Sequence, residues 1–119
     1  MQPLEPTGKA LLACVEGERH VLPLQGAALR LTQQGYRTLL LGADTPAEAL
    51  GEAVRRLQPE LVGLSMTPDV QRADPAAFLA ASARACAGVR WAVGGAATRS
   101  LAPLIRELGG ELDPGSGGG

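Results

Sequence analysis

Residues 10–15 read Ala-Leu-Leu-Ala-Cys-Val, a nearly continuous apolar run. Such a run is typical of a β-strand that is covered on both faces, as in a parallel sheet. Similar stretches predict four more strands, at 36–41, 61–66, 89–93 and, as a short fifth strand, 111–112. Gly42 is expected to end the second strand.

The segments between these strands have the spacing of amphipathic helices. The clearest helix start is Thr45-Pro46-Ala47-Glu48, which offers an N-cap hydroxyl, a proline at the first helical position and a glutamate three residues after the cap. Apolar residues at i, i+4 and i+7 continue this helix until Pro59. Other helices are predicted over about 21–34, in the Ala-rich stretch before Gly88, and over about 98–108.

The alternation of strands and helices with short loops predicts an α/β domain built on a doubly wound parallel sheet. A flavodoxin-like (Rossmann-like) five-stranded order, 2-1-3-4-5, fits best, and the chain is expected to run out before a final helix. Residues 1–113 are expected to form this domain, with a flexible Gly-rich tail at 114–119. The sequence lacks Gly-x-Gly-x-x-Gly after the first strand, which argues against a dinucleotide site, and it lacks Gly-x-x-x-x-Gly-Lys-Ser/Thr, which excludes a P-loop.

The composition of the 119-residue chain excludes several classes of protein. A net charge of −1 gives no basic surface, so no direct contact with nucleic acid or anionic membrane is expected. Polar residues interrupt every apolar run before it reaches the length of a membrane span, and the N-terminus lacks a signal-peptide pattern. A cytoplasmic protein is expected, with Cys14 and Cys86 as buried, reduced thiols.

In an open α/β sheet a ligand binds beyond the carboxyl ends of the strands, where the strand order reverses. The loops expected there carry His20, the hydroxyls of Ser65 and Thr67, and the pair Gly94-Gly95. Each has an ordinary alternative, which is an exposed loop histidine, hydroxyls that satisfy a strand end, or a tight turn. Their convergence on one rim favours a binding site.

His20 is the only histidine of the chain and a candidate metal ligand, since imidazole nitrogen suits cobalt, iron and zinc. Glu18 lies two residues earlier and could accept the second ring N–H, which would fix the tautomer. One histidine and two buried cysteines cannot supply the converging ligands of a zinc site. A metal bound by His20 must therefore arrive with its other ligands attached, as in haem or a corrinoid.

Gly17-Glu18-Arg19-His20, followed by Ser65-Met66-Thr67 and by Gly94-Gly95, resembles the motif set of the vitamin B12-binding domain family. The family pattern is Asp/Glu-x-His-x-x-Gly, then Ser-x-Leu or Ser-x-Thr, then Gly-Gly. The resemblance covers about residues 8–113, with the three motifs in the same order. No single motif is specific, but the set is.

The resemblance implies that cobalamin is the cofactor and that His20 ligates cobalt from below, in place of the dimethylbenzimidazole base. That base would then lie extended in a slot between the sheet and the helices. The other site residues implied are Glu18 as the acidic partner of His20, Ser65 and Thr67 along the slot, and Gly94 and Gly95 where the nucleotide tail needs room. No catalytic residue is implied.

Within the family, the Gly-Glu-x-His form and the segment Gly42-x-Asp44-Thr45-Pro46 look most like MerR-type light-responsive transcriptional regulators. In those regulators adenosylcobalamin holds an oligomer on DNA in the dark, and light releases it. The expected function is therefore a B12-dependent sensor module rather than a complete enzyme. Its DNA-binding domain, and the partner domain or subunit that covers the upper face of the corrin, would lie elsewhere. A homo-oligomer is compatible with this.

Two alternatives stay open. The chain could be the corrinoid-carrying domain or subunit of a methyltransferase or mutase, with methylcobalamin or adenosylcobalamin. It could also be a flavodoxin-like interaction domain without a cofactor, because Pro23 stands where the family has glycine and its ring could close the slot.

Overall fold

A computed structural model of the chain describes residues 8–15, 17–19, 21–66, 75–95 and 98–112. Along these residues five β-strands alternate with four α-helices. The strands are β1 (Gly8–Val15), β2 (Tyr36–Thr45), β3 (Leu61–Ser65), β4 (Arg90–Gly94) and β5 (Glu111–Leu112). The helices are α1 (Leu22–Gln33), α2 (Ala47–Leu57), α3 (Pro75–Ala85) and α4 (Thr98–Glu107).

The five strands form one parallel sheet in the order β2-β1-β3-β4-β5. This is the flavodoxin-like order expected from the sequence, so the predicted fold class is confirmed. The strand order reverses between β1 and β3, whose carboxyl ends therefore flank the crevice where such folds bind ligands.

One face of the sheet is packed by α2, α3 and α4. Alternate residues of the strands point to this face, as the two-residue period of a strand requires. They meet apolar residues of the three helices in one continuous core, whose most buried members include Leu11, Val62, Leu79, Val93 and Ile105.

The opposite face carries α1. A smaller apolar cluster joins Leu12 and Cys14 of β1 to Leu24 of the helix. Along the rest of this face, β3 and β4 present small residues, which are Gly63, Ser65, Ala92 and Gly94. The two sides of the sheet therefore differ in side-chain volume, and a cavity lies on the side of α1.

Strand β2 is longer and less regular than the sequence predicts. Gly42 does not end it, because the strand continues to Thr45. The paired residues of β1 and β2 are Leu12↔Leu40, Ala13↔Gly42 and Val15↔Thr45. From the first pair to the last, β1 advances by three residues and β2 by five, so β2 contains two extra residues. Such bulges bend a strand and increase its twist. Gly42 and Asp44 have positive φ angles of 97° and 53°, which accommodates this irregular path.

The predicted N-cap of the second helix is wrong. Thr45 is the last residue of β2, where it pairs with Val15, and its hydroxyl donates a hydrogen bond to the carbonyl oxygen of Gly42 at 3.4 Å. The N-cap of α2 is Pro46, in an extended conformation and without a side-chain capping bond. Thr45, which the local pattern predicted as the N-cap of the helix, therefore belongs to β2 because it pairs with β1.

The ends of the first two helices agree with the sequence. Gly35, with a φ of 99°, follows α1, and Pro59 follows α2 after Gln58 in the left-handed region. The tail predicted at 114–119 lies outside the described residues. Along the ranges given above, none of the helices combines the length and the apolar character needed to cross a lipid bilayer.

Candidate functional site

The carboxyl ends of β1, β3 and β4 lie side by side at one edge of the sheet. Cys14 pairs with Ser65, and Ser65 pairs with Gly94, so three neighbouring strands end level with one another. The loop with Glu18 follows β1 at the same edge. The structure therefore brings Glu18, Ser65 and Gly94-Gly95 together, as the motif order predicts. The predicted positions of His20 and Thr67 lie outside the described residues.

Glu18 is a buried carboxylate, with only 1% of its surface exposed. It interacts with the thiol of Cys14, since burial and, to a smaller extent, the Glu18 charge raise the pKa of that thiol. A carboxylate kept out of solvent needs hydrogen-bond donors. Its placement two residues before His20 suits it to accept an N–H from the imidazole ring.

Ser65 has a buried hydroxyl without a partner. The residue is 5% exposed, and within the described part of the chain Ser65 Oγ has no hydrogen-bond partner. A buried polar atom left unsatisfied costs about 1–3 kcal/mol, so such an atom calls for an explanation. A ligand group in the adjoining cavity would supply the missing bond.

The cavity beside Ser65 has a volume of about 480 Å³. This lies within the roughly 300–1,000 Å³ typical of small-molecule sites. Its floor is formed by Leu12 and by the small residues of β3 and β4, and Pro23, Leu24 and Ala27 of α1 form one wall. The cavity extends from the carboxyl edge of the sheet to the amino edge, where Arg90 and Glu111 line it. It has the form of an elongated, mostly apolar slot, with the hydroxyl of Ser65 at the carboxyl edge of the sheet and charged side chains at the amino edge.

Pro23 does not close this slot. It lies in the first turn of α1, where a proline leaves no helical hydrogen bond unmade, and it is exposed while lining the cavity. The reading of the chain as an interaction domain depended on closure by this ring. That condition is not met in the structure.

Gly94 and Gly95 line the cavity, but Gly95 has a packing role as well. Its φ is 113°, and a Cβ built there would stand 2.0 Å from the carbonyl oxygen of Met66. The amide of Met66 also donates to the carbonyl oxygen of Gly94 at 2.9 Å. The contact between the loops after β3 and β4 therefore requires glycine at position 95, independently of any ligand.

Asp44 is a residue of this edge to which sequence reasoning assigned no role. Its Oδ1 accepts a hydrogen bond from the amide of Gly17 at 2.6 Å, and its own amide donates to the carbonyl oxygen of Glu18 at 2.8 Å. These bonds join the end of β2 to the loop after β1. The segment Gly42-x-Asp44 was visible in the sequence, but its position beside Gly17 depends on the extra residues of β2.

The fold and the site together define a class of protein. This is a doubly wound α/β domain with an elongated slot under its first helix, beside the switch point between β1 and β3 where such folds bind ligands. The absence of a phosphate-binding glycine motif after β1 sets it apart from dinucleotide-binding domains.

The family model described as "B12 binding domain" matches residues 8–116. The chain therefore belongs to the B12-binding domain family, and cobalamin is its cofactor. The family resemblance and the cofactor predicted from the motifs are confirmed. The mostly apolar slot, and Ser65 Oγ, which lacks a partner within the described part of the chain, fit a ligand with a large flat base and polar substituents.

Two curated relatives from Myxococcus xanthus are similar to this chain. It is 43% identical over 107 residues to HTH-type transcriptional repressor CarH and 38% identical over 105 residues to HTH-type transcriptional repressor CarA. The matches cover 89% and 87% of this chain but 36% of each relative. The chain thus spans about a third of the length of these repressors. The resemblance to transcriptional regulators is confirmed at this level.

Among solved structures, a novel cobalamin-binding protein from Desulfitobacterium hafniense DCB-2 superposes with a TM-score of 0.68. It is 20% identical, and the match covers 93% of this chain and 54% of that protein. At this identity the likeness establishes the fold alone.

Proposed function

We propose that this chain holds cobalamin with the dimethylbenzimidazole base displaced from cobalt and His20 as the lower axial ligand. We further propose that it acts as a B12-dependent sensor module in transcriptional regulation. The observation that carries the first proposal is the slot under α1, which is lined by Ser65, a residue whose buried hydroxyl has no partner among the described residues. When bound, the cofactor supplies a reactive cobalt–carbon bond.

The slot supports displacement of the base because of its shape and lining. A base still bound to cobalt would leave an apolar channel of about 480 Å³ beside the corrin without a function. The small residues of β3 and β4 leave a flat floor, and α1 supplies aliphatic contacts above it. In this arrangement Ser65 Oγ would donate to or accept from the base or its sugar, and the glycine pair lines the same region. A contact of Thr67 with the base is part of the proposal, and this residue lies outside the described ranges.

Glu18 supports the assignment of His20. A histidine that ligates a metal through one nitrogen usually donates the other ring N–H to a carboxylate or carbonyl, which fixes its tautomer and orientation. Glu18 is buried at the carboxyl edge of the sheet, two residues from His20. Its burial keeps this carboxylate in one place, so the imidazole ring would be oriented before the cofactor arrives.

The regulatory role rests on the two repressors. Both match this chain over nearly nine-tenths of its length, and both are named as transcriptional repressors. The net charge of −1 gives the chain as a whole no electrostatic attraction for DNA, which supports operator binding by another domain or subunit. A partner that covers the upper face of the corrin would convert cleavage of the cobalt–carbon bond by light into a change of assembly. We place the protein in the cytoplasm for this role.

The test is absorption spectroscopy of the purified chain with adenosylcobalamin, methylcobalamin and hydroxocobalamin, before and after illumination. We expect the spectrum of base-displaced, histidine-ligated cobalamin, and its loss in His20→Ala. Arg19→Ala changes an exposed residue of the same loop and should bind as the unaltered chain does. Identical spectra for His20→Ala and the unaltered chain would refute the ligand assignment.

The sensor role has its own test. The adenosylcobalamin complex is run on a sizing column in the dark and after illumination, with the methylcobalamin complex alongside. A sensor should change its assembly or its partner binding on illumination of the adenosyl form. An assembly state that is indifferent to light, both alone and with a helical partner domain, would contradict the regulatory role and favour a corrinoid carrier.

A further inference from the structure

We propose that Asp44 is the positioning residue of the loop that presents His20. The inference rests on the proposed function, because it concerns how the loop after β1 is held for cobalt ligation. It adds a residue that lies on a different strand and outside the three motifs of the family.

Hydrogen bonds among the described residues 15, 17, 18 and 44 hold the loop after β1. The amide of Gly17 donates to Asp44 Oδ1 at 2.6 Å, and the amide of Asp44 donates to the carbonyl oxygen of Glu18 at 2.8 Å. The amide of Glu18 donates to the carbonyl oxygen of Val15, also at 2.8 Å. Asp44 therefore contacts two successive residues of the loop, one through its side chain and one through its backbone.

The conformation of Asp44 is unusual for a residue with a side chain. Its φ of 53° lies in the left-handed region, which aspartate and asparagine tolerate better than most residues. The two extra residues of β2 carry it over the end of β1. Asp44 is exposed, so packing of its side chain in the core does not explain this conformation. Backbone strain of this kind persists only where surrounding bonds determine it, and the bonds to Gly17 and Glu18 do so.

The side chain of Asp44 thus has one described role, which is to hold the turn between β1 and His20. Without a side-chain acceptor at this position, the backbone of Gly17 would have to be ordered when the cofactor binds, while the backbone bonds of Glu18 would remain. Fixing the backbone of one residue costs about 1–2 kcal/mol, which corresponds to roughly a tenfold change in affinity. We therefore expect loss of the acceptor to weaken ligation by His20 without disturbing the slot under α1.

The test compares three substitutions at one position. Asp44→Asn keeps an oxygen acceptor and tolerates the left-handed conformation. Asp44→Gly tolerates the conformation even better but has no acceptor, and Asp44→Ala lacks the acceptor and is strained. We expect Asn to behave like the unaltered chain, and Gly and Ala to bind at least about tenfold more weakly. If Asp44→Ala fails to fold, the Gly and Asn pair still decides.

The ligand for this test is cobinamide, which has the corrin but lacks the nucleotide base. The corrin ring supplies the four equatorial nitrogens, so an axial nitrogen ligand on the cobalt of cobinamide must come from the protein. Electron paramagnetic resonance of the cobalt(II) form reports such an axial nitrogen through its superhyperfine splitting. We expect this splitting in the unaltered chain and in Asp44→Asn, and a reduced fraction of cobalt with an axial nitrogen ligand in Asp44→Gly.

A double-mutant cycle with His20→Ala separates positioning from a general structural effect. If Asp44 acts through His20, Asp44→Gly should not weaken cobalamin binding further once His20 is alanine. Independent, additive losses in the double variant would overturn the inference, as would unchanged cobinamide ligation in Asp44→Gly. Absence of nitrogen splitting in the unaltered chain would overturn the proposed function itself, and this inference with it.

Discussion

The two faces of the sheet are built from different side chains and serve different ends. Beneath α2, α3 and α4, branched residues such as Leu79 and Ile105 are wholly buried in a continuous core. Beneath α1, the strands present glycine, alanine and serine, and a cavity of about 480 Å³ remains. The packed face supplies the stability that allows the other face to keep an open slot and a buried hydroxyl that has no partner among the described residues.

This comparison bears on how substitutions should act. On the packed face a smaller side chain leaves a void, so the substitution lowers the free energy of unfolding. On the open face a larger or smaller side chain changes the space available to a ligand, so the substitution lowers the affinity for that ligand. The four predictions below follow this difference, from the largest expected effect to the smallest.

Leu79→Ala should lower the free energy of unfolding by about 2–5 kcal/mol, because it leaves a cavity in the core under α3. Leu79 is 0% exposed. Leu24→Ala removes the same atoms from a residue that is 2% exposed but borders the slot, so fewer packing contacts are lost and its effect should be smaller. Urea denaturation measures both. Equal losses at the two positions would erase the distinction between the faces.

Ala92→Leu should reduce the affinity for cobalamin at least about tenfold by filling the floor of the slot, which corresponds to about 1.4 kcal/mol. Ala92 lies on β4 and lines the cavity. The free energy of unfolding should not fall, since the added carbons occupy empty space. Affinity for cobinamide, which has no base to place in the slot, should stay the same.

The control for this variant is Ala49→Leu, the same change on the exposed surface of α2. Titration by absorption or calorimetry gives both affinities. Tight cobalamin binding by Ala92→Leu would place the base elsewhere than under α1.

Ser65→Ala should have opposite effects on stability and binding. It removes a buried hydroxyl that has no described partner, so the ligand-free protein should be as stable or up to about 1 kcal/mol more stable. Cobalamin binding should weaken about fivefold through loss of one hydrogen bond. Ser82→Ala, the same change at a buried position on α3, should leave affinity unchanged. A stability loss at Ser65 without an affinity loss would contradict the role of its hydroxyl.

Glu111→Gln should cost less than about 1 kcal/mol, because exposed ion pairs contribute little. Glu111 accepts hydrogen bonds from Arg90 Nε at 2.5 Å and Nη2 at 3.0 Å at the amino edge of the slot. The bonds from the Arg90 guanidinium lower the pKa of the Glu111 carboxyl. The stabilisation is therefore present above the unfolded-state pKa of about 4.3 and is lost as the pH falls through the lower folded-state value.

Urea midpoints of Glu111→Gln and the unaltered chain should therefore differ slightly at neutral pH and converge in acid. A difference that persists in acid would mean that the side chain acts through packing. In that case Glu111, at the amino edge of the slot, would contribute to stability through packing, as residues of the packed face do.

Most of the fold could be predicted because it depends on local signals. Apolar runs identified the strands, and Gly35 and Pro59 marked helix ends correctly. The errors fell on β2, where pairing with β1 extended the strand beyond Gly42 to Thr45. A capping pattern is a local preference, and a ladder between distant residues overrides it.

The candidate site was predictable where motif residues sit at strand ends. Ser65 and Gly94 lie at the expected edge of the sheet because parallel strands end there, and their contact with the cofactor stays a prediction. The burial of Glu18 and the bond between Gly17 and Asp44 were not predictable, since they depend on how two loops from different strands fold over each other. The position of His20 stays a prediction.

The irregular path of β2 has a consequence for the behaviour of the protein at high concentration. Within the described residues β2 is an edge strand, and Leu40 and Leu41 are exposed on it. A long, regular and apolar edge would offer a template for strand pairing between molecules. The two extra residues and the left-handed backbone at Gly42 and Asp44 interrupt that template at its carboxyl end. The same distortion that brings Asp44 to the loop therefore protects this edge against aggregation.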